Sequence, residues 1–445
     1  MSDIAEMWWP LALSWLLMSV EGPAHSAIVA RLSDPEVNLA AWGGIVFPLA
    51  LIIESPVVML LSASTALSRD WEAYRRLRRI AMVLGGILTV VHITVAFTPL
   101  YDLVVRRIIQ APEVIIEPGR IGLMIMTPWS WAIAYRRFQQ GAMIRFGHAR
   151  AVGVGTMVRM TANGLVLLTG FLLKRVPGIV VAASAVATGV IAEALYAGLR
   201  VRSIVRGQIR PAPREGEPLT LRRFTSFYVP LALTSLISFF VSPVGSAAMS
   251  RMPNALDSLA AWPVISGLIF MLRSPGMAYS ETVVALLDRD RAFAALRRFA
   301  VTLGVGSFLL IAVVAATPLS ELGLSTVMAL PPNLVLMGQR ALVLALLLPS
   351  LAVLQSWYQG MIIHSGGSHD RRSTRGITES VALYLLVTAI VLGAGVGLQR
   401  FAGLGVAIVG MEIAGLVQVG WLWRRSRPAA HELAAAGSVD PDPQL

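Results

Sequence analysis

Pro10 to Trp42 reads PLALSWLLMSVEGPAHSAIVARLSDPEVNLAAW, and the stretch returns at Pro230 to Trp262 as PLALTSLISFFVSPVGSAAMSRMPNALDSLAAW. The two share 13 identities in 33 positions, where chance in a chain this apolar gives about two or three. The correspondence continues with one-residue slips. Ser55-Pro56 answers Ser274-Pro275, Arg69-Asp70 answers Arg289-Asp290, and Leu77-Arg78-Arg79 answers Leu296-Arg297-Arg298. Thr98-Pro99-Leu100 answers Thr317-Pro318-Leu319, and Gln140-Gly141 answers Gln359-Gly360. The chain is therefore two copies of one unit of roughly 200 residues, and the repeat decides the fold before any local pattern does.

Each copy is too apolar for water. Hydrophobic residues make up 56% of the 445 and charged ones 14%, and the mean hydropathy is positive. This is the composition of an all-α polytopic membrane protein. Apolar runs long enough to cross about 30 Å of hydrocarbon number six per half. They lie near 7–30, 40–67, 80–99, 120–141, 150–173 and 178–200, then 221–250, 257–287, 299–317, 333–363, 376–398 and 402–423. The expected architecture is twelve transmembrane helices in two homologous six-helix lobes around a central cavity. The lobes are 1–202 and 221–425, joined by a cytoplasmic linker at 203–220 and followed by a disordered cytoplasmic tail at 426–445. The first run lacks a basic leader and a small-residue cleavage site, so it reads as a retained span.

The net charge of +12 invites a nucleic-acid reading, but Arg collects in short clusters between apolar runs, as membrane topology requires. The loops after spans 2, 4, 6, 8 and 10 carry most of it, among them RDWEAYRRLRR and RRFQQGAMIRFGHAR, and the tail begins RRSR. Both termini are then cytoplasmic, in a cell inner (plasma) membrane. An even number of spans per copy relates the halves by an axis along the membrane normal. The absence of cysteine excludes disulfides and thiolate metal sites. There is no GxxxxGK[ST] loop to take ATP and no HExxH, so the chain reads as a transporter and not an enzyme, with no metal or cofactor.

The order of these features resembles the multidrug/oligosaccharidyl-lipid/polysaccharide (MOP) exporter superfamily, whose members are two six-helix lobes facing a cavity. The resemblance rests on PLAL…Arg31 and its copy PLAL…Arg251, on the RDW…RRLRR loop and on QQGAMIRFGHAR closing span 4. Those loops resemble the corresponding ones of the MATE (multidrug and toxic compound extrusion) proteins, without the Gly-Asp-Thr usual in the second. FYVPLALTSLISFFVSPVGSAAMSR (Phe227 to Arg251), PGMAYSE (Pro275 to Glu281), AWGGIVFPLALIIESP and VHITVAFTPLYDLV are similar to the progressive ankylosis (ANK) type. That likeness implies efflux of small organic anions such as citrate, nucleotide or pyrophosphate.

Ionisable residues within the spans are the candidates for function, because each costs at least about 2.5–3.5 kcal/mol in hydrocarbon and asks for a partner or a wet cavity. Glu54 and Arg273 each precede the Ser-Pro of their copy, so equivalent places carry an acid and a base. The prolines bend the helix and free a carbonyl, as transporters do beside a binding site. Arg273 is expected to offer a forked donor to a carboxylate or phosphate, with Glu54 neutralising it when the site is empty. The plainer alternative is a permanent structural pair, or no contact.

Glu21 and His25 fall four apart on one face of span 1. Glu21 is either a proton carrier or a carboxylate bonded to neighbouring helices; MATE proteins also use a first-span acid, usually Asp in a different context. Glu281 either coordinates a coupling cation or gates the mouth, or else lies among headgroups. Gln140 and Gln359 read as caps at the ends of spans 4 and 10. Trp129 and Trp131, beside Pro128, are candidates to line the cavity. His92, Glu193, Glu379 and Glu412 sit in spans that are mostly peripheral in the resembled fold. Arg136-Arg137 fits the positive-inside pattern, with an anion vestibule as second reading.

The leading expectation is a secondary exporter of small organic anions working by alternating access, a monomer among membrane lipids. The alternatives are an H+- or Na+-coupled MATE-type pump for cationic drugs, using Glu21, Glu54 and Glu281, and a flippase for a lipid-linked intermediate.

Overall fold

The computed structural model describes residues 2–214, 218–287, 292–366 and 375–436, and among them every regular element is helical. The chain runs α1 (Ser2–Val29), α2 (Pro35–Ala41), α3 (Phe47–Val58), α4 (Leu60–Leu67), α5 (Trp71–Phe97), α6 (Leu100–Asp102), α7 (Glu113–Ile125), α8 (Thr127–Arg145), α9 (Ala149–Leu173) and α10 (Gly178–Ile204). It continues with α11 (Leu221–Ser250), α12 (Ala255–Met277), α13 (Tyr279–Leu286), α14 (Ala292–Ala316), α15 (Leu319–Leu322), α16 (Pro332–Leu344), α17 (Leu348–Gly366), α18 (Arg375–Leu398) and α19 (Gly403–Ala436).

Among the described residues nine helices are long and apolar enough to cross a membrane. The number is ten if α16 and α17, bent by 41°, count as one broken span. The expected twelve are not reached on length and apolarity alone. The first span is diluted by Trp, Pro, Ser, Glu and His, and the fourth carries Arg136, Arg137, Gln139 and Gln140 within α8.

The backbone bears out the duplication. The described non-glycine residues with left-handed φ are six, and they form three pairs at helix boundaries: Asp34 with Asn254, Gln110 with Ala329, and Lys174 with Gln399. These pairs lie 220, 219 and 225 positions apart, so they fix the register of the second copy along its length. The helix breaks correspond too. The chain kinks at Met59 and at Ala278, each three residues after its Ser-Pro proline, and again at Met126 and at Ala345. Gly119 and Gly338, where an added Cβ would come 2.9 Å from Ile45 and from Ile265, pack the same pair of helices in each copy.

The compact units are not the sequence halves. An amino-terminal unit comprises Ile28–Arg251, and a carboxy-terminal unit comprises Met1–Ala27 with Met252–Leu445. The expected lobe boundaries are thus shifted by one helix each. Most of α1 packs with the second copy, and α11 packs with the first.

The same device fixes both exchanged helices. Proline in a helix leaves the carbonyl four residues earlier without its amide donor. Here the serine beside it fills that role: Ser55 Oγ donates to Ile52 O at 2.8 Å, and Ser274 Oγ to Met271 O at 2.8 Å. The proline carbonyl itself, next to the kink, takes a donor from the exchanged helix. The Trp8 indole of α1 donates to Pro275 O at 3.0 Å, and the Tyr228 hydroxyl of α11 donates to Pro56 O. Trp8 and Tyr228 are 220 positions apart, equivalent residues of the two copies.

The carboxy-terminal unit surrounds Trp8 with Phe299, Tyr279, Val353 and Trp357 in one apolar core. In the expected linker, α10 runs on through a wide turn at Val205–Ile209, and Thr220 caps α11 by accepting from Arg223 N at 3.2 Å. The last helix continues to Ala436, so residues 426–436 of the expected disordered tail are helical; 437–445 lie outside the described residues.

Candidate functional site

In the amino-terminal unit the charges inside the helices gather at one place. Glu193 of α10 is fully buried and accepts from two neighbours on α8: the Arg136 guanidinium, and Gln140 Nε2 at 2.7 Å. Arg159 of α9 brings its Nε to 3.3 Å from the same carboxylate. Small residues let the backbones approach. A Cβ on Gly155 would stand 3.4 Å from Glu193 Cγ, and one on Gly189 would stand 3.0 Å from Arg159 O. On the other side of α8, Tyr74 donates to Gln139 Oε1 at 2.8 Å.

Glu54 of α3 is buried, with one carboxylate oxygen lacking a hydrogen-bond partner, and the charges acting on it are Arg136 and Arg137. Two acids and three arginines therefore share the interior of one unit, an arrangement that hydrocarbon tolerates only when partners compensate.

The corresponding place in the carboxy-terminal unit is chemically different. Arg273 of α12 is half-buried, and its Nε is enclosed without a hydrogen-bond partner. No carboxylate among the described residues pairs with it, and the ionisable group acting on it is the Tyr384 phenol of α18. Using the register set by Lys174 and Gln399, Tyr384 stands where Arg159 stands, and Gln418 where Glu193 stands. Gln418 is buried and donates to Ser380 Oγ at 3.4 Å. Gln355 and Gln359 take the places of Arg136 and Gln140. This unit thus carries Arg273 on a broken helix beside the Tyr384 phenol, and neutral residues stand where the other unit has Arg136, Arg159 and Glu193.

Glu54 and Arg273 belong to different units, and each has its own surroundings as described. On α1, Glu21 is half-buried and His25 buried, one turn apart with Pro23 packed on Gly267 between them. Glu281 is exposed on α13. Gln140 is part of the Glu193 network and not only a cap, while Gln359 is half-buried. Trp129 is buried against Phe47, rings stacked 6.3 Å apart, whereas Trp131 is exposed and stacks on Tyr135. His92 is a structural histidine: its Nε2 faces Leu123 O at 2.9 Å and so carries a proton, and its Nδ1 faces Ser130 Oγ at 3.0 Å. Glu412 accepts from Leu347 N at 2.8 Å, closing the α16–α17 bend, and Glu379 of α18 pairs with Arg425 of α19.

In the sequence Glu193 reads as part of a peripheral span, and neither Arg159 nor Arg340, on α16, stands among the candidates. The signal was present, since each is a charge within a long apolar run.

No protein-family model matches the chain, and no curated protein does. Solved structures resemble it over nearly its whole length. One is the inward-facing conformation of a multidrug resistance MATE family transporter of the MOP superfamily, at 15% identity over 96% of this chain and 98% of that one, with a TM-score of 0.70. A second is the lipid II flippase MurJ in an inward closed conformation, at 13% identity over 97% and 93%, with a TM-score of 0.69. A third is a MOP superfamily transporter from Pyrococcus furiosus Vc1, described as having a binding pocket of reverse polarity that suggests a different function. It is 16% identical over 98% and 96%, with a TM-score of 0.57. The fold is that of the MATE-type transporters of the MOP superfamily. The protein is a multi-pass, all-helical membrane protein of that architecture.

Proposed function

We propose that the protein is a secondary exporter of small organic anions, of polycarboxylate, pyrophosphate or nucleotide type, working by alternating access. The likeness to the ANK type supports the substrate class, and the clustering of Arg in alternate loops supports a place in the inner (plasma) membrane with both termini cytoplasmic. Arg273 carries the reading. A guanidinium on a proline-broken helix, with no carboxylate partner among the described residues and a phenol beside it, is built to take a charge from outside the protein. Its planar fork matches a carboxylate or phosphate with two parallel hydrogen bonds, and the Tyr384 hydroxyl is a further donor. Coupling to H+ or Na+ would supply the driving force.

The test is uptake of radiolabelled citrate or pyrophosphate into inverted vesicles. Arg273→Ala should reduce it at least about tenfold, the loss expected when about 1.4 kcal/mol or more of charge-assisted binding goes. Arg273→Lys, which keeps the charge and loses the fork, should fall between. Normal transport by Arg273→Ala would refute the assignment. Resistance to cationic drugs on expression, abolished by Glu21→Gln, would favour a MATE-type pump instead.

A further inference from the structure

The carboxy-terminal unit contains a cavity of about 710 Å³, lined by α16, α18 and α19 and by the first turn of α12. Its size is that of a small-molecule site, about 300–1,000 Å³. Most of the lining is apolar, and several of those side chains, among them Leu336, Leu398 and Phe401, are exposed, so the trough opens to the surroundings of the unit. It runs along α16 from Asn333 to Leu344. Eleven helical steps at about 1.5 Å give roughly 16 Å, the depth of one leaflet of a bilayer core about 30 Å thick.

The polar residues of the lining are not scattered. Asn254, Asp257 and Asn333 stand together where α12 and α16 begin, with Asn333 Nδ2 donating to Asp257 Oδ1 at 3.3 Å. Arg340 lies two helical turns deeper. It is exposed, and no ion pair or hydrogen bond is found for it among the described residues. A cation within an apolar span and without a partner among the described residues calls for a partner of another kind.

The duplicate place shows that this is not simply what the fold leaves behind. The corresponding groove between α9 and α10 is about 300 Å³. It is lined by Val166, Thr169, Gly170 and Val181, the counterparts of Val391, Ala394, Gly395 and Val406 in the larger cavity. Where the carboxy-terminal unit has Asn333 and Arg340, the amino-terminal one has Val114 and Ile121. One copy has a shallow apolar crease. The other has more than twice the volume, a cation at depth and an acid with two amides at the rim.

We propose that the cavity binds one zwitterionic phospholipid of the phosphatidylethanolamine class. An acyl chain lies along the trough, the phosphate meets Arg340, and the ammonium meets the Asp257, Asn254 and Asn333 rim. The order of charges matches: a lipid headgroup carries its phosphate nearer the chain and its ammonium farther out, as the cavity carries its cation deeper and its acid at the mouth. A primary ammonium has three N–H donors for a carboxylate and two amide oxygens; a quaternary choline has none, and an anionic glycerol headgroup would bring no cation to Asp257.

The experiment is native mass spectrometry of the purified full chain in micelles doped with phosphatidylethanolamine, phosphatidylcholine or phosphatidylglycerol. The wild type should retain one phosphatidylethanolamine in preference to the other two. Arg340→Gln should lower retention of all three about tenfold or more. Asp257→Asn should exchange the preference for phosphatidylethanolamine for one for phosphatidylglycerol. Ala394→Phe, at an exposed position of the wall, should exclude all of them while leaving the thermal midpoint unchanged. Equal retention of the three lipids by the wild type, or undiminished retention by Arg340→Gln, would overturn the site. Neither outcome bears on Arg273, whose readout is transport.

Discussion

The two units share a backbone and differ in charge. Each breaks its second span three residues after a Ser-Pro, gives the serine to the orphaned carbonyl, and takes a donor from an exchanged helix onto the proline carbonyl. The charged residues do not follow that symmetry. The amino-terminal unit ties Glu193 to Arg136, Arg159 and Gln140 and buries Glu54 beside them; the carboxy-terminal unit has Gln418, Gln355, Tyr384 and Gln359 at those places, and Arg273 where Glu54 would be. Features present in both copies answer demands of the helix bundle itself. Features present in one copy are not required to fold the bundle, so they are where function is to be sought.

The sharpest way to break the comparison is at Glu193. Glu193→Gln takes the anion from buried Arg136 and half-buried Arg159, and losing one partner of a buried charge pair costs about 3–5 kcal/mol. The thermal midpoint of the purified protein should fall by many degrees. The triple variant Arg136→Gln, Arg159→Tyr, Glu193→Gln gives the amino-terminal unit the residues of the other copy, and it should recover most of that loss. If the triple variant is no more stable than Glu193→Gln, the two sites are not structural equivalents.

A smaller effect tests the shared device. Ser55→Ala and Ser274→Ala each strip the donor from a carbonyl that proline has already orphaned, which costs about 1–3 kcal/mol for a buried group. The two should cost alike, because the geometry is alike at 2.8 Å. Tyr228→Phe removes a single neutral hydrogen bond and should cost about 0.5–1.5 kcal/mol; Trp8→Phe removes its equivalent and also packing against Phe299, so it should cost more. A large loss at one serine and none at the other would show that only one break depends on its hydroxyl.

How far the sequence discloses all this follows from what kind of fact each is. Duplication, the broken spans and the unlike pair Glu54 and Arg273 are written in the order of residues, and a single chain read against itself reveals them. The exchange of α1 and α11 is not, because a repeat states which helices are homologous and is silent on which ones pack together. Glu193 was legible in principle. Its span reads as peripheral and Arg136 fits the positive-inside pattern, yet three arginines and an acid within apolar runs already imply that they meet. Arg340 is harder to read, because no ion pair or hydrogen bond joins it to another of the described residues and so no pairing within the chain points to it.

The smallest expected effect concerns the corner after the third span. In the amino-terminal unit Asp102 pairs with Arg106 at 3.0 Å and with Arg120, and Arg106 also reaches Glu113. The corresponding corner of the other unit is neutral in its contacts, with Gln339 donating to Ser320 Oγ at 3.4 Å. The hydrogen bond from Arg106, then the one from Arg120, holds the Asp102 carboxyl below its ordinary range. A carboxyl whose folded value is depressed contributes fully above its unfolded value of about 4, and the contribution disappears as pH falls through the folded value. Asp102→Asn should therefore lower the thermal midpoint slightly at pH 7, and the gap from wild type should close below about pH 4. High salt should narrow it as well, because the pair is partly exposed. Glu321→Gln, at the equivalent place in the neutral corner, should change little at pH 7. A gap for Asp102→Asn that stays constant from pH 7 to about pH 3 would mean that its carboxylate contributes through shape and not through charge, and the electrostatic distinction between the two corners would fall.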